Sequence, residues 1–224
     1  FQDALATDKG NNFLRAIGNS LLISLATTAL AVLVGVLAGY ALARLNFRGK
    51  GIVTAIILAA SMFPGIALVT PLFQLFSNIG WIGTYQALIV PNISFALPLT
   101  VYTLISFFKQ LPWELEEAAR VDGASRFTAF RKVLLPLAAP ALFTTAILAF
   151  IATWNEFMLA KQLSTTATEP VTVAIARFSG PSAFEYPYAA VMAAGTLVTV
   201  PLVVMVLVFQ RRIVAGLTAG GVKG

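Results

Sequence analysis

Four stretches of this chain carry no charged residue: 16–43, 51–108, 133–155 and 186–210. A bilayer's hydrocarbon core is about 30 Å thick and takes about 20 residues of helix to cross. The run 51–108 has room for two crossings, and the polar loop 77–86 divides it. The pattern predicts five spans, at roughly 16–43, 52–76, 87–108, 138–160 and 188–210. Only 11% of the 224 residues are charged, against about 25% in a soluble domain, too few to cover a globular surface in water. The apolar runs recur along the whole chain, so a cleaved leader does not account for them. The sequence begins at Phe1 without Met, and a further span upstream is expected.

The basic residues are distributed unevenly about these spans. Arg44, Arg48, Lys50, Lys109, Arg120, Arg126, Arg131, Lys132, Arg211, Arg212 and Lys223 fall on one side, eleven of the 15 Lys and Arg. Lys9, Arg15, Lys161 and Arg177 fall on the other. Basic loops mark the cytoplasmic face, which places residues 110–136 and the tail 213–224 inside and the loop 161–187 outside. The net charge of +6 is thus a topology signal and not a nucleic-acid footprint. Cys and His are both absent, which removes disulfides, thiolate metal sites and the commonest general base. No nucleophile, base or metal cluster suggests a membrane enzyme. A secondary transporter would show internal repeats and buried ion sites; there is no repeat, no His and one acid, Glu156, within a span.

The most charged stretch, "QLPWELEEAARVDGASRFTAFRKVLLP", ends at Pro136. Pro112 suits a first helical turn, and Glu114, Glu116 and Glu117 favour the positive end of the helix dipole. Gly123 ends that helix in a left-handed conformation, and Ser125 caps a second one. Bulk at Gly123 is expected to push the two helices apart. Ala118 and Ala119 permit close approach, and Val121, Phe127 and Phe130 offer apolar anchors. The spacing fits a unit that docks into a partner's groove, and equally an amphipathic loop resting on its own membrane domain. A DNA-binding helix-turn-helix is disfavoured by four acids set against five bases, counting Lys109 just before the stretch.

Elsewhere, Pro64-Gly65 and Pro98 are candidate kinks for a gate, with Asn155 and Glu156 as polar residues in the fourth span. Gly49-Lys50-Gly51 lacks the spacing of a phosphate loop and reads as a basic turn.

Glu117-Ala118-Ala119, Gly123, Val133, Leu135 and Pro136, with Asp122 before the glycine, match the EAA loop of ABC importer permeases at every fixed position, with Val133 for the usual Ile. The segments "NSLLISLATTALAVLVGVLAGYALAR" and "FQRRIVAGLTAGGVKG" resemble the first core helix and the C-terminus of the second permease subunit of carbohydrate importers of the maltose type. The resemblance implies an all-α membrane protein with the fold of a type I ABC importer transmembrane domain, a five-helix core and a sixth helix before it. It implies a bacterial or archaeal plasma-membrane protein, itself non-catalytic and without cofactor. Its expected partners are a second permease, two ATPase subunits that use ATP and Mg, and an external binding protein. Cargo of the maltose or trehalose kind is implied, with glycerol-phosphate-type and amino-sugar cargo as alternatives. By the same resemblance Glu117, Ala118, Ala119, Asp122, Gly123, Phe127, Phe130 and Pro136 couple to the ATPase. Arg177, Phe178, Phe184 and Tyr186 meet the binding protein, with an interfacial aromatic belt as the alternative for Tyr186 and Tyr188. Leu217, Gly220 and Gly221, in a tail too glycine-rich to hold a helix alone, order between the ATPases.

Overall fold

A computed structural model describes residues 12–178 and 188–221, the last dozen by backbone alone. The described residues are helical, with no strand among them. The first helix, α1 (Phe13–Arg44), is followed by α2 (Lys50–Ser61), a 3₁₀ turn (Gly65–Leu68) and α3 (Val69–Asn78). Next come α4 (Tyr85–Gln110), α5 (Glu114–Val121), α6 (Arg126–Leu137) and α7 (Ala139–Trp154). Two short helices, α8 (Met158–Leu163) and α9 (Val171–Ala176), precede the long α10 (Tyr188–Gly221).

At 1.5 Å per residue, the 32 residues of α1 span about 48 Å, enough to cross a bilayer and emerge on both sides. Its two ends identify the ends of the molecule. Near the start, Asn19 Oδ1 accepts a hydrogen bond from the Tyr85 hydroxyl at 2.8 Å, and Trp154 packs in one cluster with Phe13 and Ala16. Near the finish, Lys50 Nζ donates to the carbonyls of Ala43 and Leu45, and Tyr40 packs on Phe130. The bent pair α2–α3 therefore carries the chain from the finish of α1 back to its start. Helix α4 then runs parallel to α1, and the pair α6–α7 returns from finish to start. Helix α10 leaves the cluster around Phe13 and reaches Phe143 through Phe209, whose ring stacks on it at 5.8 Å.

Among the described residues three helices are long and apolar enough to cross a membrane, or up to five crossings result if each bent pair counts as one. The span expected at 52–76 is not one helix. It breaks between Ser61 and Gly65 and bends by 87°, because Pro64 is extended (ψ 117°) and disfavours helix in the residue before it. The span expected at 138–160 also breaks. Helix α7 ends at Trp154, and Glu156 accepts hydrogen bonds from the N–H groups of Leu159 and Ala160 at 2.8 and 2.9 Å, starting α8. Pro98 makes no such break; α4 passes through Pro91 and Pro98. The glycine-rich tail is helical to Gly221 as the continuation of α10 and not as a helix of its own. Extending a formed helix is far easier than nucleating one.

The closest packing in the core is α1 on α4. A Cβ on Gly39 would lie 2.9 Å from Leu104 Cβ and 3.4 Å from the Ile105 amide nitrogen, and one on Gly35 would collide with the Thr100 methyl. Small residues let helix backbones approach in a bilayer, so these glycines set the α1–α4 distance. Gly39→Val is expected to destabilise the domain by about 1–3 kcal/mol, the usual range for overpacking. Gly18→Ala, with no atom within 4 Å of its Cβ, should be silent. Thermal unfolding of the purified protein in detergent compares the two.

Candidate functional site

The charged unit α5–α6 sits at the finishing end of α1. Helix α5 has only eight residues, too few to be stable in water alone, so its attachments decide its position. Its two faces differ sharply. Glu116 is buried at 6% exposure and accepts a hydrogen bond from the Tyr40 hydroxyl at 3.1 Å. Glu117 and Ala118 are exposed, as are Asp122 and Gly123, and Ala119 is half-buried. Arg44 is buried, donates through Nη2 to the Leu111 carbonyl, and lies 4.4 Å from the centre of the Trp113 ring, a cation–π geometry. Pro112 lies before the helix and not in its first turn; Trp113 is the cap residue.

Gly123 has φ +89°, the left-handed turn its place after α5 requires. Contrary to expectation, a side chain there would meet no atom within 4 Å. A substitution would strain the backbone without wedging the helices apart. Ser125 caps α6, its Oγ accepting from the Thr128 amide at 3.2 Å. Residues Phe130–Leu134 form a π turn within α6, a feature that often marks functional segments.

The apolar residues of the unit divide. Phe127 is 65% exposed and Val121 87%. Phe130 is buried, 4.5 Å from Tyr40 between ring centres and in one cluster with Phe108 and Leu134. It anchors the unit onto its own domain and offers no outer surface. Pro136 is exposed.

A second feature lies deeper. A cavity of about 270 Å³ is lined by Gly65, Asn92, Phe95, Thr153 and Glu156, among others. Both helix breaks, α2–α3 and α7–α8, open on it. Non-helical backbone at membrane depth is tolerated where it is buried in protein or faces a water-filled cavity, so the position of the breaks follows. Of the candidate gate residues, Gly65 and Glu156 meet here. Pro64 and Asn155 are exposed nearby and do not line the cavity; Asn155 donates to the Ile151 carbonyl. Pro98 is buried within α4. Glu156 is half-buried as a helix cap, so it does not simply reach out to the interface. Phe95 went unnoticed in the sequence, where nothing separates it from the other phenylalanines of an apolar run.

At the starting end, Asn19 Nδ2 donates to the carbonyls of Ala167 and Glu169 at 3.1 and 2.9 Å, and Ser20 Oγ accepts from the Val171 amide. These bonds fix the segment leading into α9. Arg177 pairs with Glu169 at 2.9 Å; burial pushes the Glu169 carboxyl above its usual range and the Arg177 guanidinium pulls it back. Phe178 packs against Phe13 at 5.7 Å. Phe184 and Tyr186 lie outside the described residues, and of Leu217, Gly220 and Gly221 only the helical backbone is described.

Known proteins resemble this chain in sequence and in fold. Residues 31–218 match the family described as binding-protein-dependent transport system inner membrane component. The chain is 52% identical over 217 residues to the trehalose transport system permease protein SugB of Mycobacterium tuberculosis, covering 96% of this chain and 79% of that protein. It is 45% identical over 219 residues to the trehalose/maltose transport system permease protein MalG of Thermococcus litoralis, covering 97% and 78%. It is 42% identical to the sulfoquinovosyl glycerol transport system permease protein SmoH of Agrobacterium fabrum, covering 92% and 72%. Among solved structures, a bacterial ABC transporter that imports alginate superposes with a TM-score of 0.74 over 89% of this chain and 74% of that one, at 22% identity. The MetNI methionine ABC transporter superposes with a TM-score of 0.73 over 94% and 99%, at 19% identity. The helical architecture is that of a type I ABC importer transmembrane domain. With its family match covering most of the chain and its apolar helices long enough to cross a bilayer, this protein belongs to the binding-protein-dependent transport system inner membrane components, as a permease subunit of the inner membrane.

Proposed function

We propose that this chain is one of two membrane-spanning halves of an ATP-driven sugar importer. It pairs with a second, related permease. An external binding protein delivers an oligosaccharide such as trehalose or maltose, and two ATPase subunits hydrolyse ATP with Mg on the inner side. The relatives named for trehalose and maltose transport support the cargo class. The observation that carries the coupling role is the outward face of the α5–α6 unit. Glu117, Ala118, Val121, Asp122, Gly123 and Phe127 are all exposed there, on a unit tied to the membrane helices by its opposite face. Exposed apolar side chains beside charges mark a docking surface. Pro136 ends the unit, and Ala119 and Phe130 support it from within.

The cavity at Gly65, Phe95 and Glu156 is this chain's share of the transport path. Arg177 stands at the outer end, where the binding protein arrives, with Phe178 behind it and with Phe184 and Tyr186 following in the sequence. The end of α10, at Leu217, Gly220 and Gly221, extends toward the ATPase pair.

The test is sugar uptake and ATP hydrolysis by the reconstituted complex, with and without loaded binding protein. Gly123→Val is expected to abolish substrate-stimulated hydrolysis and uptake while the chain stays in the membrane. The left-handed residue costs a side chain roughly 1–2 kcal/mol, and the added bulk points into the space the partner fills. Phe127→Ala should weaken capture of the ATPase subunit in a pull-down. Glu117→Ala should do less, since exposed ion pairs contribute under about 1 kcal/mol. Normal coupling in Gly123→Val would remove the unit from the docking role.

Sidedness is tested separately, because the chain contains no cysteine. Val121→Cys should react with impermeant maleimide from the cytoplasmic side only, and Arg177→Cys from the outside only.

A further inference from the structure

We infer that Tyr40, Arg44 and Glu116 are positioning residues that lock the docking unit to the last turn of α1, so that displacement of α5 moves α1 with it. The functional half of this inference rests on the importer reading above.

Tyr40 and Arg44 are four residues apart and share one face of α1. Together they hold three separate parts of the unit. Arg44 Nη2 takes the Leu111 carbonyl at the exit of α4, and the Arg44 guanidinium covers Trp113 at the entrance to α5. The Tyr40 hydroxyl donates to Glu116 Oε1 within α5. The Tyr40 ring packs on Phe130 of α6 and, at 6.0 Å, edge-on to Phe108 of α4. One helical turn thus grips both helices of the unit and the helix that leads into it.

The chemistry argues for register more than for stability. Arg44 is 4% exposed, yet its Nε and Nη1 have no hydrogen-bond partner, and neither does Glu116 Oε2. The two charges form no ion pair with each other; among the described residues the ion pair within 4.0 Å is Arg177–Glu169. Buried charges so incompletely paired are poor sources of net stability, and apolar residues of similar size often replace them without loss. What a directional Tyr–Glu bond and a stacked guanidinium provide is one fixed position of α5 on α1. An apolar contact alone would let a short helix slide. The outward neighbour Glu117 keeps its side chain free for the partner, so gripping and docking are divided between adjacent acids.

Two measurements test this. The first uses the full chain in nanodiscs, without partners, carrying a nitroxide on Ala118→Cys. Tyr40→Phe and Glu116→Met, which removes the acceptor, should each broaden the range of spin-label positions and increase mobility. Their combination should add nothing, since the two act through one bond. Tyr40→Phe keeps the ring that packs on Phe130 and Phe108, so the chain is expected to fold. An unchanged nitroxide spectrum in both single variants, or additive effects, would overturn the lock.

The second uses the reconstituted complex and reads sugar transported per ATP hydrolysed, together with the ATPase subunit that co-purifies. Tyr40→Phe should lower the ratio about fivefold with the ATPase subunit still bound, and Arg44→Lys, which loses the planar stacking on Trp113, should do the same. A normal ratio in both would overturn the transmission role. So would a fall in the amount of bound ATPase subunit at constant ratio, which would mark a purely structural contact. If the unaltered chain captured no ATPase subunit, the importer reading itself would fail, while the nitroxide result would still decide the lock.

Discussion

Every backbone polar group within the hydrocarbon has to find its partner inside the chain, and the arrangement of this protein follows from how that demand is met. Helix α1 meets it without interruption, and its glycine face allows α4 to lie close along it. Several polar side chains of the spans add little demand, because they turn back on their own helices. Thr100, Thr145 and Thr153 donate to the carbonyls four residues earlier, as does Asn92 to Leu88. The two places where the ladder stops, near Pro64 and near Asn155, are brought to one cavity. Glu156 replaces the missing helical partners of α8 with its own carboxylate oxygens.

A rigid span between two polar grips is a good carrier of motion. At one end of α1, Tyr40 and Arg44 hold the exposed α5–α6 unit. At the other, Asn19 and Ser20 hold the segment that leads into α9 and Arg177. The intervening stretch, about 30 Å of helix from Ser20 to Tyr40 at 1.5 Å per residue, has no charge to anchor it in place. Under the proposed function the inner end answers to a motor and the outer end to a delivery protein. The packed core between them has low compressibility, so a shift at one end has a mechanical route to the other.

The two-helix unit α5–α6 was legible from spacing because its design is local. A glycine in a left-handed turn, a serine cap and acids at a helix start are all set by neighbours a few residues away, and Gly123 and Ser125 do what their positions require. The three acids Glu114, Glu116 and Glu117 look alike at that level. Only the packing of α5 on α1 buries one and leaves its neighbour exposed. Phe127 and Phe130 divide in the same way, three residues apart, one outward and one into the cluster with Tyr40.

By itself, the sequence determined that the chain is helical, membrane-crossing, basic on one face and equipped with a capped two-helix unit there. Charge-free length, charge asymmetry and turn residues are one-dimensional signals. What the tertiary structure decided is which helices break and what they enclose. Pro64 and Pro98 are equivalent signals in sequence, yet one accompanies an 87° bend and the other lies in an unbroken α4, buried against its neighbours. A proline frees a backbone carbonyl wherever it stands. Whether the helix yields depends on the packing around it, which comes from residues distant in the chain.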